Sequence, residues 1–148
     1  MGVPMKFFVP FDGTELAVAA LKRADSLATG TGAEIVVATI IPKDREYALE
    51  RGWLDSNETF EIEAVRDTLR SQVAEIALDA EFRCESVRSY ISAGNIATRL
   101  RDIATDIDAD VVFLGSENVG SIAAPVGSIG SNVATRVPYD IYLVQSRD

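Results

Sequence analysis

The run Phe7-Phe8-Val9-Pro10-Phe11-Asp12-Gly13-Thr14 passes from unbroken apolar side chains to a carboxylate, a glycine and a hydroxyl. A strand wetted on one face alternates apolar and polar residues. Phe7-Phe8-Val9 does not alternate, so it suits a strand covered on both faces, as parallel strands are. Three more runs share that property: Ile35-Val36-Val37-Ala38 continuing to Ile40-Ile41, Val111-Val112-Phe113-Leu114, and Ile141-Tyr142-Leu143-Val144. A fifth stretch, Cys84 to Ser92, alternates more and is expected nearer a sheet edge.

Between these runs the period becomes helical. Ala17, Ala20, Leu21, Ala24, Leu27 and Ala28 form one apolar stripe, with Thr14 as its cap, Glu15 in the first turn and Gly30 closing it. Val65, Leu69, Val73, Ile76 and Ala80 form a second stripe. Ile96, Leu100, Ile103 and Ile107 form a third after a Gly94-Asn95 turn, and Ile129, Val133 and Val137 mark a last helix before Pro138. Alternating strands and helices predict an α/β fold with a parallel sheet and right-handed crossovers. Pro42 to Glu58 fits neither period and reads as a long, partly helical connection. It is either a lid over a site or a segment that the lone Trp53 anchors to the domain.

The 148 residues fit one globular domain, with 47% hydrophobic and 25% charged residues, enough to bury a core. There is no histidine, which excludes imidazole triads and histidine-ligated metals. The single Cys84 cannot form an internal disulfide and reads as a packing residue, which points to a reducing compartment. A net charge of −9 argues against nucleic acid and anionic membranes as partners. With no targeting or membrane-length segment recognised, a cytoplasmic location is expected.

Ligands in open parallel sheets bind beyond the carboxyl ends of the strands. Three segments fall at such ends: Asp12-Gly13-Thr14, Gly115-Ser116-Glu117-Asn118-Val119-Gly120, and Gly127-Ser128-Ile129-Gly130-Ser131-Asn132. Glycine beside free N–H groups at a helix start suits an anion, although glycine after a strand also makes plain tight turns. Asp12 reads equally as a helix cap and as a ligand contact. There is neither a Walker Gly-Lys-Ser/Thr nor a dinucleotide Gly-x-Gly-x-x-Gly turn.

Together these segments resemble the universal stress protein (UspA-like) family over essentially the whole chain. The resemblance rests on Pro10-Phe11-Asp12 leading into an alanine-rich helix, on Asp110-Val111-Val112-Phe113-Leu114-Gly115, and on Gly127-Ser128-Ile129 followed by Ile141 to Val144. It implies a single three-layer domain, residues 1–148, with a five-stranded parallel sheet of order 3-2-1-4-5 and helices on both faces. It also implies a homodimer through the last strand, whose only charge is Asp140 and whose bare edge invites pairing.

ATP-binding members of that family carry Gly-x2-Gly-x9-Gly-Ser/Thr. By position, Asp12 matches the adenosine contact, Ile40 approximates the apolar contact at the end of the second strand, Gly115 matches the first glycine, and Gly127-Ser128 match the last pair. Asn118 replaces the second glycine, and the following spacing is one residue short. A register from Gly120 to Gly130-Ser131 restores the spacing but puts Glu117 at the first glycine; Ile129 and Gly130 complete the candidate loop. No Lys or Arg occurs from Asp102 through Thr135. Repulsion between Glu117 and a phosphate ~5 Å away is about 1–3 kcal/mol. The resemblance therefore implies a cytosolic, stress-associated dimeric binding or signalling module with a degenerate ATP motif and no strong catalysis. The alternative is a protein that binds ATP or AMP, with Mg²⁺ or Mn²⁺, and hydrolyses slowly or not at all. In a third reading the cleft is empty, and the last strand or the Trp53 connection recruits a partner.

Overall fold

A computed structural model of the chain describes residues 3–88, 93–115 and 137–145. Its elements run β1 (Lys6–Pro10), α1 (Glu15–Thr31), β2 (Glu34–Pro42), α2 (Arg45–Glu50), α3 (Ile62–Ile76), β3 (Glu81–Val87), α4 (Ala93–Asp106), β4 (Val111–Gly115) and β5 (Asp140–Val144). The five strands form one sheet of order β3-β2-β1-β4-β5, and every neighbouring pair is parallel. That is the architecture the apolar runs and the family resemblance imply.

Side chains of a strand point alternately to the two faces, and here both faces are dry. Phe7, Val9, Ile35, Val37 and Phe113 join α1 and α3 in one core cluster. Their neighbours Phe8, Val36, Ala38, Val112 and Leu114 join α4 in a second cluster across the sheet. Covering on both sides is why the central strands read as unbroken apolar runs rather than alternating ones. Phe8 and Phe113, at 0% and 1% exposure, anchor the two clusters.

Several boundaries differ from the sequence expectation. Helix α1 runs through Gly30 and ends at Gly32, whose φ of 76° is the left-handed conformation that closes a helix, its N–H donating to the Ala28 carbonyl. Gly94 and Asn95 lie inside α4 rather than in a turn ahead of it, because small and polar residues are tolerated in a first turn. Strand β3 begins at Glu81, three residues before Cys84, and ends at Val87. It pairs along β2 from Val36↔Glu81 to Pro42↔Val87, and its place at the sheet edge lets it carry Glu81, Arg83 and Glu85. The long connection holds the short α2, capped by Asp44, whose side chain accepts from the Glu46 and Tyr47 amides. Of the expected last helix, Ile129 and Val133 lie outside the described residues, while Val137 is half-buried against the second cluster and not helical. No helix among the described residues is long and apolar enough to cross a membrane.

Candidate functional site at the carboxyl ends of β1 and β4

The connections from neighbouring parallel strands diverge where the strand order reverses, leaving a crevice outside the sheet. In this sheet that point lies between β1 and β4. Asp12 stands past the end of β1 and Gly115 is the last residue of β4.

The exit of β1 is held firmly. The Phe11 amide donates to the Ala38 carbonyl at 2.9 Å, and the Phe11 carbonyl accepts the buried Thr39 hydroxyl at 2.6 Å. The Phe11 ring goes into the first core cluster rather than into the crevice. Asp12 therefore turns away from a fixed point. Its Oδ1 accepts from the Thr14 amide at 3.0 Å and the Thr14 hydroxyl at 2.6 Å, while Thr14 caps α1 by accepting from the Ala17 amide at 3.4 Å. Gly13 between them has φ 82°, and a Cβ there would lie 3.1 Å from both Gln72 Oε1 and Leu69 Cδ2 of α3. The left-handed backbone favours glycine there, and a Cβ would press on two side-chain ends of α3.

The other carboxylate oxygen faces the long connection. Arg51 Nε lies 3.3 Å from Asp12 Oδ2, and the same guanidinium carbon is 4.0 Å from the centre of the Tyr47 ring. The Trp53 indole N–H donates to the Asp12 carbonyl at 2.7 Å, and the Tyr47 and Trp53 rings are 5.5 Å apart. Tyr47 packs against the second core cluster and Trp53 against the first, so the connection straps across the sheet end from face to face. Gly52, at φ 75°, supplies the reversal between Arg51 and Trp53. Arg45 ties the far side down by donating to the Ser56 and Glu58 carbonyls. Trp53 thus anchors the connection. Burial pushes the Tyr47 hydroxyl up from its ordinary value, an effect Arg51 partly opposes.

Between the strap and α3 lies a cavity of about 70 Å³, lined by Asp12, Arg51, Trp53, Thr68, Leu69 and Gln72. It has room for a water or two but not for a purine, at about 30 Å³ per water. The Gln72 Oε1 lining it has no hydrogen-bond partner among the described residues.

Of the residues singled out in the sequence, Asp12 and Gly115 stand at the carboxyl ends of the neighbouring strands β1 and β4, and Gly115 does not line the Asp12 cavity. Gly115 pairs with Val144 of β5, and a Cβ on it would sit 2.6 Å from Leu16 Cβ, so it also lets the first turn of α1 close onto β4. Ile40 is 4% exposed in the second cluster, pairs with Glu85, and does not line the Asp12 cavity. Asn118, Gly127, Ser128, Ile129 and Gly130 lie outside the described residues. Half-buried Cys84 packs against the first cluster, and burial pushes its thiol up, away from the thiolate. No group of three or more carboxylate or thiol side chains among the described residues is placed to hold a metal ion. Asp12 on its own does not make a divalent-cation site.

The pairing of Arg51 with Asp12 is the feature sequence reading missed. Arg51 is visible only as one residue of an aperiodic connection, and nothing in residue spacing brings it to β1.

Comparison with known proteins agrees with this fold. The sequence model of the universal stress protein family matches residues 5–145. A universal stress protein crystallised in complex with cAMP is 21% identical, with a TM-score of 0.59 over 99% of this chain and 100% of that one. One from Archaeoglobus fulgidus in complex with dAMP is 17% identical, with a TM-score of 0.55 over 97% and 99% of the two chains. A member of the family from Burkholderia pseudomallei is 19% identical, with a TM-score of 0.52 over 93% and 94%. With the 3-2-1-4-5 sheet, the Asp12 turn and a family match over nearly its full length, the chain belongs to the universal stress protein family.

Proposed function

We propose that this chain is a cytosolic, homodimeric binding and signalling module that takes an adenine nucleotide, preferring a monophosphate, at the carboxyl ends of β1 and β4, without strong catalysis. The observation that carries the reading is Asp12. One carboxylate oxygen is used by the α1 cap while the other, at the strand-order reversal beside Gly115, holds Arg51, with the side chain 26% exposed. A carboxylate so placed is an acceptor for ribose hydroxyls, and the fold relatives solved with cAMP and dAMP support a ligand of that class. The absence of Lys and Arg from Asp102 through Thr135, together with Glu117, favours one phosphate over three. Histidine, the side chain most often used as a general base, is absent, which supports binding over turnover.

The test is calorimetric titration with AMP and with ATP plus Mg²⁺ or Mn²⁺, read in parallel by the fluorescence of Trp53, the only tryptophan. AMP is expected to bind, to perturb Trp53 through its bond to Asp12, and to lose its heat in Ser128→Asp. No heat with either nucleotide refutes nucleotide binding, and ATP turnover at ordinary enzymatic rates, roughly 1 s⁻¹ or faster, refutes the non-catalytic part.

The proposed homodimer pairs through β5. The two sheet edges differ: β3 carries Glu81, Arg83 and Glu85, engaged in the Arg83–Glu81 and Arg99–Glu85 ion pairs. β5 presents half-buried Ile141 and Tyr142 and exposed Leu143, with Asp140 its only charge. A charged edge resists strand pairing, and an uncharged one accepts it.

A further inference from the structure

We infer that Arg51 sets the charge preference of this site, making it select an anionic nucleotide over the neutral nucleoside; the inference rests on the nucleotide reading above. The glycine loop after β4 brings no cation, since no Lys or Arg occurs from Asp102 through Thr135. Among the described residues, Arg51 is the only cation lining the Asp12 cavity. It comes from the strap, 3.3 Å from Asp12 Oδ2. Two consequences follow from that geometry. An anionic ligand at this end of the sheet gains a partner in the Arg51 guanidinium, and a neutral ligand does not. The Asp12 charge alone would repel a phosphate, and Arg51 cancels that repulsion at short range.

The guanidinium is held for this role. It rests on the Tyr47 ring at 4.0 Å, a contact that does not depend on its ion pair with Asp12. Its side chain is 30% exposed, and its buried Nε has no hydrogen-bond partner among the described residues. Tyr47 and Trp53 in turn are fixed in the two core clusters, so Arg51 is presented by a braced segment.

The test is the ratio of AMP to adenosine affinity, measured calorimetrically on the full chain for wild type, Arg51→Met and Arg51→Lys. In wild type AMP is expected to bind about tenfold or more tighter than adenosine, the size of one partly screened charge contact. In Arg51→Met the ratio falls to about threefold or less, through weaker AMP binding with adenosine binding little changed. Arg51→Lys restores most of the preference. A role confined to holding the strap would weaken both ligands together and leave the ratio unchanged, and an unchanged ratio overturns the inference. Arg51→Gln, which keeps donors but not charge, gives the same reading if Arg51→Met does not fold. If neither AMP nor adenosine binds any of these proteins, the nucleotide reading itself falls and takes this inference with it. Binding of both with one ratio throughout sinks only the role of Arg51.

Discussion

Asp12 and Arg51, far apart in sequence, meet at 3.3 Å over the end of β1, and one carboxylate serves two structures at once. Oδ1 completes the cap of α1, and Oδ2 holds the strap that crosses the sheet. The two roles separate by substitution. Asp12→Ala loses both and is expected to cost about 1–2 kcal/mol, the range for a helix cap with a partly exposed ion pair added. Asp12→Asn keeps the acceptor for Thr14 and is expected to cost under about 1 kcal/mol. Urea unfolding of the two variants checks the order, and equal losses would show that Oδ1 does not matter.

Trp53 makes the second tie, its indole N–H bonded to the Asp12 carbonyl at 2.7 Å. Trp53→Phe keeps most of the packing but leaves that carbonyl without its partner, and a loss of about 1–2 kcal/mol is expected. Hydrogen exchange should then speed up in residues 45–54 before it does in the central strands. Uniform protection across both regions would show that the indole bond does not hold the strap.

Close contact with α1 constrains Gly115. Gly115→Ala puts a Cβ 2.6 Å from Leu16 Cβ and is expected to destabilise by about 1–3 kcal/mol. Adding Leu16→Gly removes that Cβ and should return part of the loss as a favourable interaction term in a double-mutant cycle, once the cost of a glycine in the helix is counted from the single variant. Strict additivity would rule out Leu16 as the neighbour that must yield.

Tyr139 offers a pH test. It is 7% exposed, its hydroxyl has no hydrogen-bond partner among the described residues, and burial pushes its ionisation up, opposed by Arg101. The folded protein thus holds the phenolic proton more tightly than the unfolded chain. The associated stability is fully present below about pH 10, the unfolded value, and is lost as pH climbs through the raised folded value. Tyr139→Phe should leave neutral-pH stability unchanged or raise it by up to about 1 kcal/mol, and should flatten the alkaline limb. An alkaline limb identical to wild type would place the titration elsewhere.

Leu143, 42% exposed on the β5 edge, tests the dimer. Sedimentation should show wild type as a dimer at micromolar concentration and Leu143→Lys as a monomer, because a charge on an edge strand blocks pairing. A dimer that survives the lysine lies on another surface.

Where sequence and structure agree, the reason is that the information was local and periodic. The unbroken runs at Phe7, Ile35 and Val111 mark strands dry on both faces, and the stripes from Ala17, Val65 and Ile96 mark their helical covers. Thr14 as the cap of α1 was legible because capping needs one side chain and the next turn. The ends of elements were less so. Gly30 and Gly32 are the same residue type two positions apart, and only the backbone shows which one adopts the left-handed turn. The start of β3 at Glu81 was hidden because an edge strand may carry charge, which reads as loop.

The candidate site divides in the same way. From sequence alone, residue type and position marked Asp12 and Gly115 as the groups at the strand ends, with Asp12 left as either cap or ligand contact. Tertiary structure decided that the carboxylate is both cap and ion pair, because the partner of Oδ2 comes from a connection with no period to read. It also showed that Gly115 admits Leu16, a constraint set by how closely α1 approaches β4. Patterns of residues determine which faces must be buried, and so the fold. Which distant charges meet above the sheet depends on the path of the chain between strands, and that path is set only when the whole core has closed.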